Sequence, residues 1–257
     1  MKVIHVCGES GSGKTTLIRS LIPLLADKGT VAVVKHLGHH SFSLPEGKDT
    51  TFYLESGAAI SAGIDPGKTV LVADTVSLRT VLDILSFSGT SFAIVEGFKS
   101  LPLPKVVMGT LNSAQNVVLD NPRPGDIINS LGKFPDYITY CDLARDLWAD
   151  GLIALTGSLP ADSSLMSPRE RREFYDRFFP MIHDMTEEDW GVPNAFRVRV
   201  HLYQGLYFGG DDRVIYAAGG PTPGGVQCVV PRVLERIVLM LKTALHGEGE
   251  IHATEKN

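Results

Sequence analysis

The stretch that decides the fold is IHVCGESGSGKTTLIRS, which runs from Ile4 to Ser20. Within it, residues 8–15 give the pattern G-x-x-x-x-G-K-T. The β-branched run before the loop predicts a buried strand over residues 2–7, and apolar residues at helical spacing after the loop predict a helix. Strand, Gly-rich loop and helix in this order indicate a backbone that wraps a phosphate at a helix N-terminus. The sequence therefore predicts an α/β fold with a mostly parallel sheet and a nucleotide site.

The residue types of the loop suit distinct tasks at that site. Lys14 is expected to reach the β and γ phosphates, and we count it as catalytic for this reason. Thr15 is expected to place its hydroxyl on Mg²⁺, and Thr16 to meet the α-phosphate. The predicted phosphate-binding residues are Gly8, Gly11, Gly13, Lys14, Thr15 and Thr16.

Length and composition bound the remaining possibilities. A chain of 257 residues can form two domains. With 24 basic and 29 acidic residues and a net charge of -5, the chain gives no sign of a nucleic-acid surface. Three cysteines without a CxxC pair suggest neither a zinc site nor a disulfide framework, and no apolar run approaches the length of about 20 residues that spans a bilayer. We therefore expect a cytoplasmic protein that contacts neither nucleic acid nor membrane.

Polar residues follow the second predicted strand, TVAVVKH, where an open α/β sheet places its ligand crevice. Lys35 and His36 end this strand, and Asp49 follows in the next segment, so all three are candidates for the site. A metal site formed by His36, His39 and His40 is an alternative, but the glycine and serine residues around them predict a loop instead of a helix that presents ligands. Solvated loop histidines fit this pattern better.

A third predicted strand, FAIV, is closed by Glu96. An acidic residue at this place orients Mg²⁺ or its water in phosphate-loop proteins, although a solvent-facing strand end would look the same. The sequence contains no [NT]-K-x-D run of the kind that reads guanine in regulatory G proteins. It also contains no arginine between Leu37 and Arg79, where a kinase lid would be expected.

Five segments in a fixed order carry a family resemblance over residues 1–121: GESGSGKTTLI, VAVVKHLGHHSFSLPEGKDT, ESGAA, AIVEGFK and LPK. In these the chain resembles the MobB family, the molybdopterin-guanine dinucleotide biosynthesis protein B. The resemblance implies a GTP-binding, weakly hydrolysing homodimer that assists a MobA-type guanylyltransferase of the molybdenum or tungsten cofactor. It carries the family's polar positions onto Lys35 and His36, which are expected to bind the nucleotide, and onto Asp49 and Glu96, which are expected to act in catalysis with Lys14. Guanine preference enters only through this resemblance.

The second half has a different pattern. After the turn-rich NPRPG, Ser167 and Glu170 form a capping box that predicts a helix, and residues 196–203 alternate like a half-buried strand. Helical periodicity resumes over residues 233–245. We expect a phosphate-loop domain over residues 1–140 and a smaller α+β domain over residues 141–257. Arginines on the alternating strand could bind an anionic pterin, but the sequence alone favours a solvated strand face.

The segments GLIALTGSLP, VRVHLYQGLYFGGDDRVIYAA and LERIVLMLKT resemble the MoaE family, the catalytic large subunit of molybdopterin synthase. This resemblance implies molybdopterin as a ligand and the sulfur carrier subunit as a partner. Lys242 matches one of two lysines expected near the end, whereas Pro160 stands where that family has an arginine-bearing segment. Because sulfur transfer needs those cations, we expect a degenerate module without synthase activity.

The leading interpretation is a GTP-binding accessory protein of molybdopterin guanine dinucleotide biosynthesis, with Mg²⁺ as its metal. A scaffold that gathers guanylyltransferase and pterin, with hydrolysis incidental, is one alternative. A phosphate-loop kinase of a small metabolite is another, and the missing lid arginines count against it.

Overall fold

The computed structural model describes residues 1–38, 48–73, 76–111 and 115–246. The elements of the first half are β1 (Lys2–Gly8), α1 (Lys14–Ala26), β2 (Val31–Lys35), α2 (Asp49–Glu55), β3 (Ile60–Ile64), β4 (Thr69–Ala73), α3 (Leu78–Phe87), β5 (Phe92–Glu96), β6 (Lys105–Met108), β7 (Val117–Asp120) and α4 (Pro124–Ile128). The second half contains α5 (Tyr140–Ala149), β8 (Ile153–Pro160), α6 (Pro168–His183), β9 (Arg197–Tyr203), α7 (Gly205–Phe208), β10 (Arg213–Gly220) and α8 (Pro223–His246).

The central sheet has the strand order β2-β5-β1-β6-β7, and every pair in it is parallel. Parallel strands that are covered on both faces have nearly continuous apolar sequences. Such apolar runs predicted β1, β2 and β5. The order confirms the predicted mostly parallel α/β sheet. Because β1 lies between β5 and β6, the chain goes from β1 to β2 on one side of it and from β6 to β7 on the other. Ligand crevices form at the carboxyl ends of strands at such a topological switch point.

Two layers cover the two faces of this sheet. On one face Ile4, Val6 and Ile94 pack with Leu21 of α1 and Ile127 of α4. On the other face the covering layer includes residues of α3, α5 and the second half. This second cluster, called here the shared core, contains Val3, Leu82, Ala93, Val95, Leu103, Tyr137, Leu143, Leu147, Tyr203, Phe208, Ile215 and Ala217. The first and second halves are therefore packed together by buried apolar side chains.

The second half is built on an antiparallel sheet in the order β8-β10-β9. Phe174 and Phe178 of α6 and Ile237 of α8 lie in its own core, which also includes Val198 and Leu202 of β9. The capping box at Ser167 is present as predicted, since Ser167 N–H donates to Glu170 at 2.7 Å. This arrangement confirms an α+β architecture for the second half.

Helix α8 begins at Pro223, well before the predicted start at Val233. Its first turn reads PGG, and Pro231 interrupts the early part of the helix. Glycine and proline have the lowest helix propensities, and this masks the start of the helix in the sequence. Pro223 at the first position costs little, because its missing N–H would have had no partner there.

Polar contacts also join the two halves. The hydroxyl of Ser86 of α3 donates to the carboxylate of Asp142 on α5. The guanidinium of Arg79 lies 5.0 Å from the ring centroid of Tyr203 on β9, a cation–π geometry. The predicted boundary at residue 140 coincides with the start of α5, a helix that contributes Leu143 and Leu147 to the shared core. The division into two domains at this residue stays a prediction.

His201 gives this packing a measurable pH dependence. Burial lowers the pKa of His201 from its ordinary 6.5 to about 4, and the opposing effect of Asp136 is smaller; the amino terminus of Met1 and Lys2 act in the same direction as burial. Because the folded pKa lies below the unfolded one, the unfolded state takes up protons first on acidification. Stability is full above pH 6.5 and falls by up to about 3 kcal/mol from this residue as the pH drops towards 4.

Replacing His201 with leucine should therefore make the acid loss of stability shallower, as measured by urea unfolding between pH 7 and pH 4. His183→Leu is the matched control, because His183 is exposed at the end of α6. Equal acid sensitivity in the two variants would contradict this account. Some acid sensitivity should persist in both, since burial also lowers the pKa of His5 to about 4.

Candidate functional site

The loop between β1 and α1 has the backbone shape that its glycines allow. Gly13 adopts φ 90° at the start of α1, and a Cβ at Gly8 would come within 2.1 Å of the Met108 carbonyl oxygen. A side chain at Gly8 would therefore push β1 and β6 apart, and one at Gly13 would strain the helix start. The glycine pattern is required by the close approach of the loop to the end of β6.

The side chains of the loop and of two strand ends form one cleft. Lys14 Nζ donates to the Gly8 carbonyl at 3.2 Å and also to the Glu9 carbonyl, so the amine lies over the loop. Thr15 and Thr16 are exposed on the first turn of α1. The cleft has a volume of about 300 Å³ and is lined by residues 10–16 together with Lys35 and Glu96. We call it the phosphate cleft.

Lys35 and Glu96 end neighbouring strands and meet beside the loop. They are paired in register across β2 and β5, and Lys35 Nζ lies 3.4 Å from Glu96 Oε1. Glu96 is buried with 7% of its surface exposed, whereas Lys35 is exposed. The structure thus places the two predicted strand-end residues on the phosphate cleft. Their roles in binding stay predictions.

The segment after Glu96 connects the phosphate cleft with the shared core. Phe98 has a left-handed backbone with φ 47°, and its ring stacks on His36 at a centroid distance of 4.4 Å. Phe98 also packs against the shared core. Lys105, which is buried, donates from Nζ to the Leu101 carbonyl at 2.8 Å and so fastens the end of this segment. The His36 side chain contacts Phe98 and is not among the residues that line the cleft.

Besides His36, the predicted site residues Asp49 and Lys242 also lie outside the phosphate cleft. Asp49 is exposed at the first residue of α2, and no lining residue of the cleft comes from α2. Lys242 lies on α8 in the second half, where it borders a small cavity of about 250 Å³ whose other lining includes Leu159 and Leu241. The structure therefore does not bring Asp49 or Lys242 together with Lys14 and Glu96.

The alternative of a metal site at His36, His39 and His40 is not tested by the structure. Within residues 1–38, 48–73, 76–111 and 115–246 no group of three or more His, Cys, Asp or Glu side chains could hold an ion. His39 and His40 lie outside the described residues. Within the same ranges no helix has the length and apolar character needed to cross a membrane.

Sequence reasoning missed a second cleft, at the ends of β6 and β7. It is lined by Val107, Gly109, Thr110, Leu111, Val117, Asp120 and Asn121 and has a volume of about 440 Å³. Asn121 adopts φ 46°, and its Oδ1 accepts a hydrogen bond from Gly109 N–H at 2.7 Å. The DNP run at residues 120–122 could have revealed this cleft. An apolar strand that ends in Asp and Asn before proline predicts a polar turn at the strand end.

A parallel sheet with a Gly-rich loop at its central strand, a helix N-terminus and a strand-end carboxylate is the architecture of the P-loop class of nucleotide-binding folds. The profile of the family described as MobB, molybdopterin guanine dinucleotide synthesis protein B, matches residues 3–129. The chain belongs to this family.

Named relatives agree with this assignment. The chain is 38% identical over 112 residues to a putative molybdopterin-guanine dinucleotide biosynthesis adapter protein of Methanocaldococcus jannaschii, covering 42% of this chain and 47% of the relative. It is 34% identical over 110 residues to a probable adapter protein of Bacillus subtilis, covering 41% of this chain and 64% of that protein. It is 30% identical over 121 residues to the adapter protein of Escherichia coli, covering 43% of this chain and 69% of that protein. The match thus spans only about half to two thirds of these relatives.

Among solved structures, the crystal structure of Bacillus subtilis MobB is similar, with 23% identity and a TM-score of 0.42 over 53% of this chain and all of that one. The MobB homologue of Bacillus stearothermophilus has 22% identity and a TM-score of 0.36. The family match ends at residue 129, so the resemblance of residues 141–257 to the MoaE family stays a prediction.

Proposed function

We propose that this protein is a GTP-binding accessory protein of molybdopterin guanine dinucleotide biosynthesis that assists a guanylyltransferase and hydrolyses GTP slowly. The observation that carries the proposal is the phosphate cleft, in which Lys14, Thr15, Lys35 and Glu96 converge within a member of the MobB family. The names of the relatives support a role as an adapter in the same biosynthesis.

The chemistry of the cleft suits a nucleoside triphosphate. The Lys14 amine would exchange its two carbonyl contacts for the β and γ phosphate oxygens, which are stronger, charged acceptors. The Thr15 hydroxyl and the Glu96 carboxylate are hard oxygen donors that suit Mg²⁺. When bound, the ion would neutralise charge on the β and γ phosphates.

Slow hydrolysis is consistent with the charges in the cleft. Glu96 is paired with Lys35, so its carboxylate is less free to orient an attacking water molecule. No arginine is among the described residues that line the cleft. An arginine in that place accelerates phosphoryl transfer by about 10³- to 10⁵-fold, so the basal rate without one should be low.

The direct test is titration of the full chain with GTP and with ATP in Mg²⁺, followed by a guanylyltransferase assay with molybdopterin. We expect GTP binding, slow phosphate release and faster or more complete formation of the guanine dinucleotide when the chain is present. A chain that binds neither nucleotide would overturn the proposal, as would one that leaves the guanylyltransferase unaffected.

The kinase alternative finds no support in Arg79. This arginine, the first after the second strand, lies over Tyr203 at the contact between the halves. It is not among the residues that line the phosphate cleft. Formation of a phosphorylated metabolite from GTP or ATP would favour the kinase over the GTP-binding accessory protein.

For the second half we propose a degenerate MoaE-like module without sulfur transfer. Arg197 donates to two nearby carbonyls, and Arg199 pairs with Glu187 at 3.1 Å, so both guanidinium groups are engaged locally. Lys242 borders a mostly apolar cavity beside Leu159 and Pro160. These surroundings favour a packing or partner-binding role over pterin phosphate capture. Molybdopterin formation by the full chain supplied with a sulfur-loaded carrier subunit would contradict it.

We also propose that the protein is a homodimer formed through the hairpin of β3 and β4. These two strands pair only with each other among the described strands. A two-stranded ribbon is marginal by itself in water. Ile60, Val70 and Leu71 are more than half exposed on it, and Ile64 is 81% exposed. The remaining apolar surface and open strand edges suit a second copy of the same hairpin.

The expected result is a particle with twice the 27.8 kDa chain mass in sedimentation velocity. Ile64→Asp should shift it to the monomer, because the buried carboxylate would have no partner in the interface. Leu239→Asp is the control, since Leu239 is an exposed apolar residue of α8 far along the chain from the hairpin. A monomeric wild-type chain, or a dimer that Ile64→Asp leaves intact, would exclude this interface.

A further inference from the structure

We propose that the cleft at the ends of β6 and β7 binds a guanine base, and that the Asp120 carboxylate selects guanine over adenine. We call this the base cleft. The inference rests on the proposed nucleotide binding in the phosphate cleft and adds a residue that reads the base. Neither the sequence motifs nor the family match assigns such a residue.

The position of the base cleft follows from the order of the strands. Lys35 and Glu96 lie on the β2–β5 side of the phosphate loop, where the terminal phosphate and its Mg²⁺ are expected. The base cleft lies on the β6–β7 side of the same loop. A nucleotide whose terminal phosphate is next to Glu96 must extend its nucleoside away from β5, which is towards β6 and β7.

The two clefts adjoin at the phosphate loop. A Cβ at Gly109 would fall 2.9 Å from Ser12 Cβ, so the first residue after β6 touches the loop directly. Met108 reaches the same loop, since its methyl carbon would lie 3.8 Å from a Cβ at Gly13. A ligand held by the loop therefore reaches the base cleft within the length of one nucleotide.

The walls of the base cleft suit a flat heterocycle. Leu111 and Val117 supply apolar surface, and Thr110, Asp120 and Asn121 supply polar groups. Binding sites for small molecules combine apolar walls with a few placed polar groups in this way. The volume of about 440 Å³ leaves room for a purine with part of its ribose.

Asp120 is held in place before any ligand binds. Asn121 Nδ2 donates to Asp120 Oδ1 at 2.9 Å, and Asn121 Oδ1 accepts from Gly109 N–H at 2.7 Å. The Asn121 N–H donates to the Val107 carbonyl at 2.8 Å and anchors the turn to β6. One oxygen of Asp120 is therefore oriented by Asn121, while the carboxylate keeps further acceptor positions for a ligand.

The chemistry of the bases then decides the selectivity. Guanine carries two neighbouring donors, N1–H and the 2-amino group, and a carboxylate accepts from both at once. Adenine places an unprotonated N1 there, so two acceptors would face each other without a proton between them. A polar group that loses water without gaining a partner costs binding free energy, so ATP is disfavoured.

The test compares wild-type chain, Asp120→Asn and the control Asp150→Asn for binding of GTP, ITP, XTP and ATP. Asp150 is an exposed aspartate at the end of α5, outside both clefts. Wild type and control should prefer GTP, with ITP weaker because it lacks the 2-amino group. Asp120→Asn should bind GTP about 10- to 100-fold more weakly and gain affinity for XTP, whose carbonyl at C2 accepts from the new amide.

The outcomes separate this inference from the function it rests on. If wild type binds GTP but Asp120→Asn keeps the same GTP-to-XTP preference, the base inference is overturned while the nucleotide site stands. Wild-type preference for ATP would overturn it as well. If wild type binds none of the four nucleotides, the proposed function itself fails. Unchanged thermal unfolding of Asp120→Asn will show that a loss of affinity is local.

Discussion

Replacing Lys14 with alanine is expected to weaken GTP binding by the full chain at least about 100-fold, because two charge-assisted hydrogen bonds to phosphate are lost. The Lys14 amine already lies over the loop, where it contacts the Gly8 and Glu9 carbonyls. Isothermal titration with GTP in Mg²⁺ measures the effect. The loss should appear with ATP too, because the amine contacts phosphate and not the base.

Lys28→Ala is the matched control, since Lys28 is an exposed lysine just beyond the other end of α1. It should bind GTP like wild type. Equal affinities for the Lys14 and Lys28 variants would remove Lys14 from the site. The Lys14 variant also separates the two accessory roles. If it has lost GTP yet still supports guanine dinucleotide formation, the scaffold interpretation is favoured over the GTP-dependent one.

Replacing Asp212 with alanine is expected to destabilise the folded protein by about 3–5 kcal/mol, the usual cost of removing one partner of a buried ion pair. Asp212 accepts from Arg171 Nε at 2.7 Å, from the Tyr175 hydroxyl at 2.5 Å and from the Ser163 hydroxyl. Its side chain has no exposed surface, and that of Arg171 is 17% exposed. Without the carboxylate, three donors lose their acceptor in a poorly hydrated place. Urea unfolding at neutral pH measures the change.

Asp211→Ala is the control, because this neighbour is exposed and should change stability by less than about 0.5 kcal/mol. Asp212→Asn should fall between the two, since the amide oxygen still accepts hydrogen bonds. A difference between the Asp211 and Asp212 variants smaller than about 1 kcal/mol would contradict the importance of this cluster.

The cluster around Asp212 also makes the stability of the folded protein depend on pH. Burial acts to raise the pKa of Asp212, but the hydrogen bonds from Arg171, Ser163 and Tyr175 outweigh it and hold the pKa below the ordinary 3.8. The contribution of Asp212 is therefore complete above that value and is lost as the pH falls through the lowered folded pKa. It adds nothing to the acid sensitivity that His201 produces at higher pH.

The first half was predictable where local pattern and motif agree. The strand before Gly8 and the helix after Lys14 have strict periodicities, and the motif fixes what joins them. Lys35 and Glu96 could be placed together because parallel strands bring their carboxyl ends to one edge. The Asp49 prediction had no such geometric basis, and the described structure leaves this residue outside the cleft.

Other features depend on contacts that no local pattern contains. Strands β6 and β7 have four residues each, too few for a clear signal, so the cleft beside them was missed. Asp212 lies in the run GGDDR, whose composition is typical of an exposed turn, but it is buried by partners from positions 163, 171 and 175. The start of α8 was hidden by residues of low helix propensity.

The shared core has a consequence for how the chain is made. During synthesis Val3, Ala93 and Val95 emerge well before Tyr203 and Ile215, the residues that help to cover them. Until the last third of the chain leaves the ribosome, part of one face of the parallel sheet is apolar and open to water. Nascent chains in this state are prone to wrong associations, so we expect premature truncation after β7 to produce aggregates instead of a separate small protein.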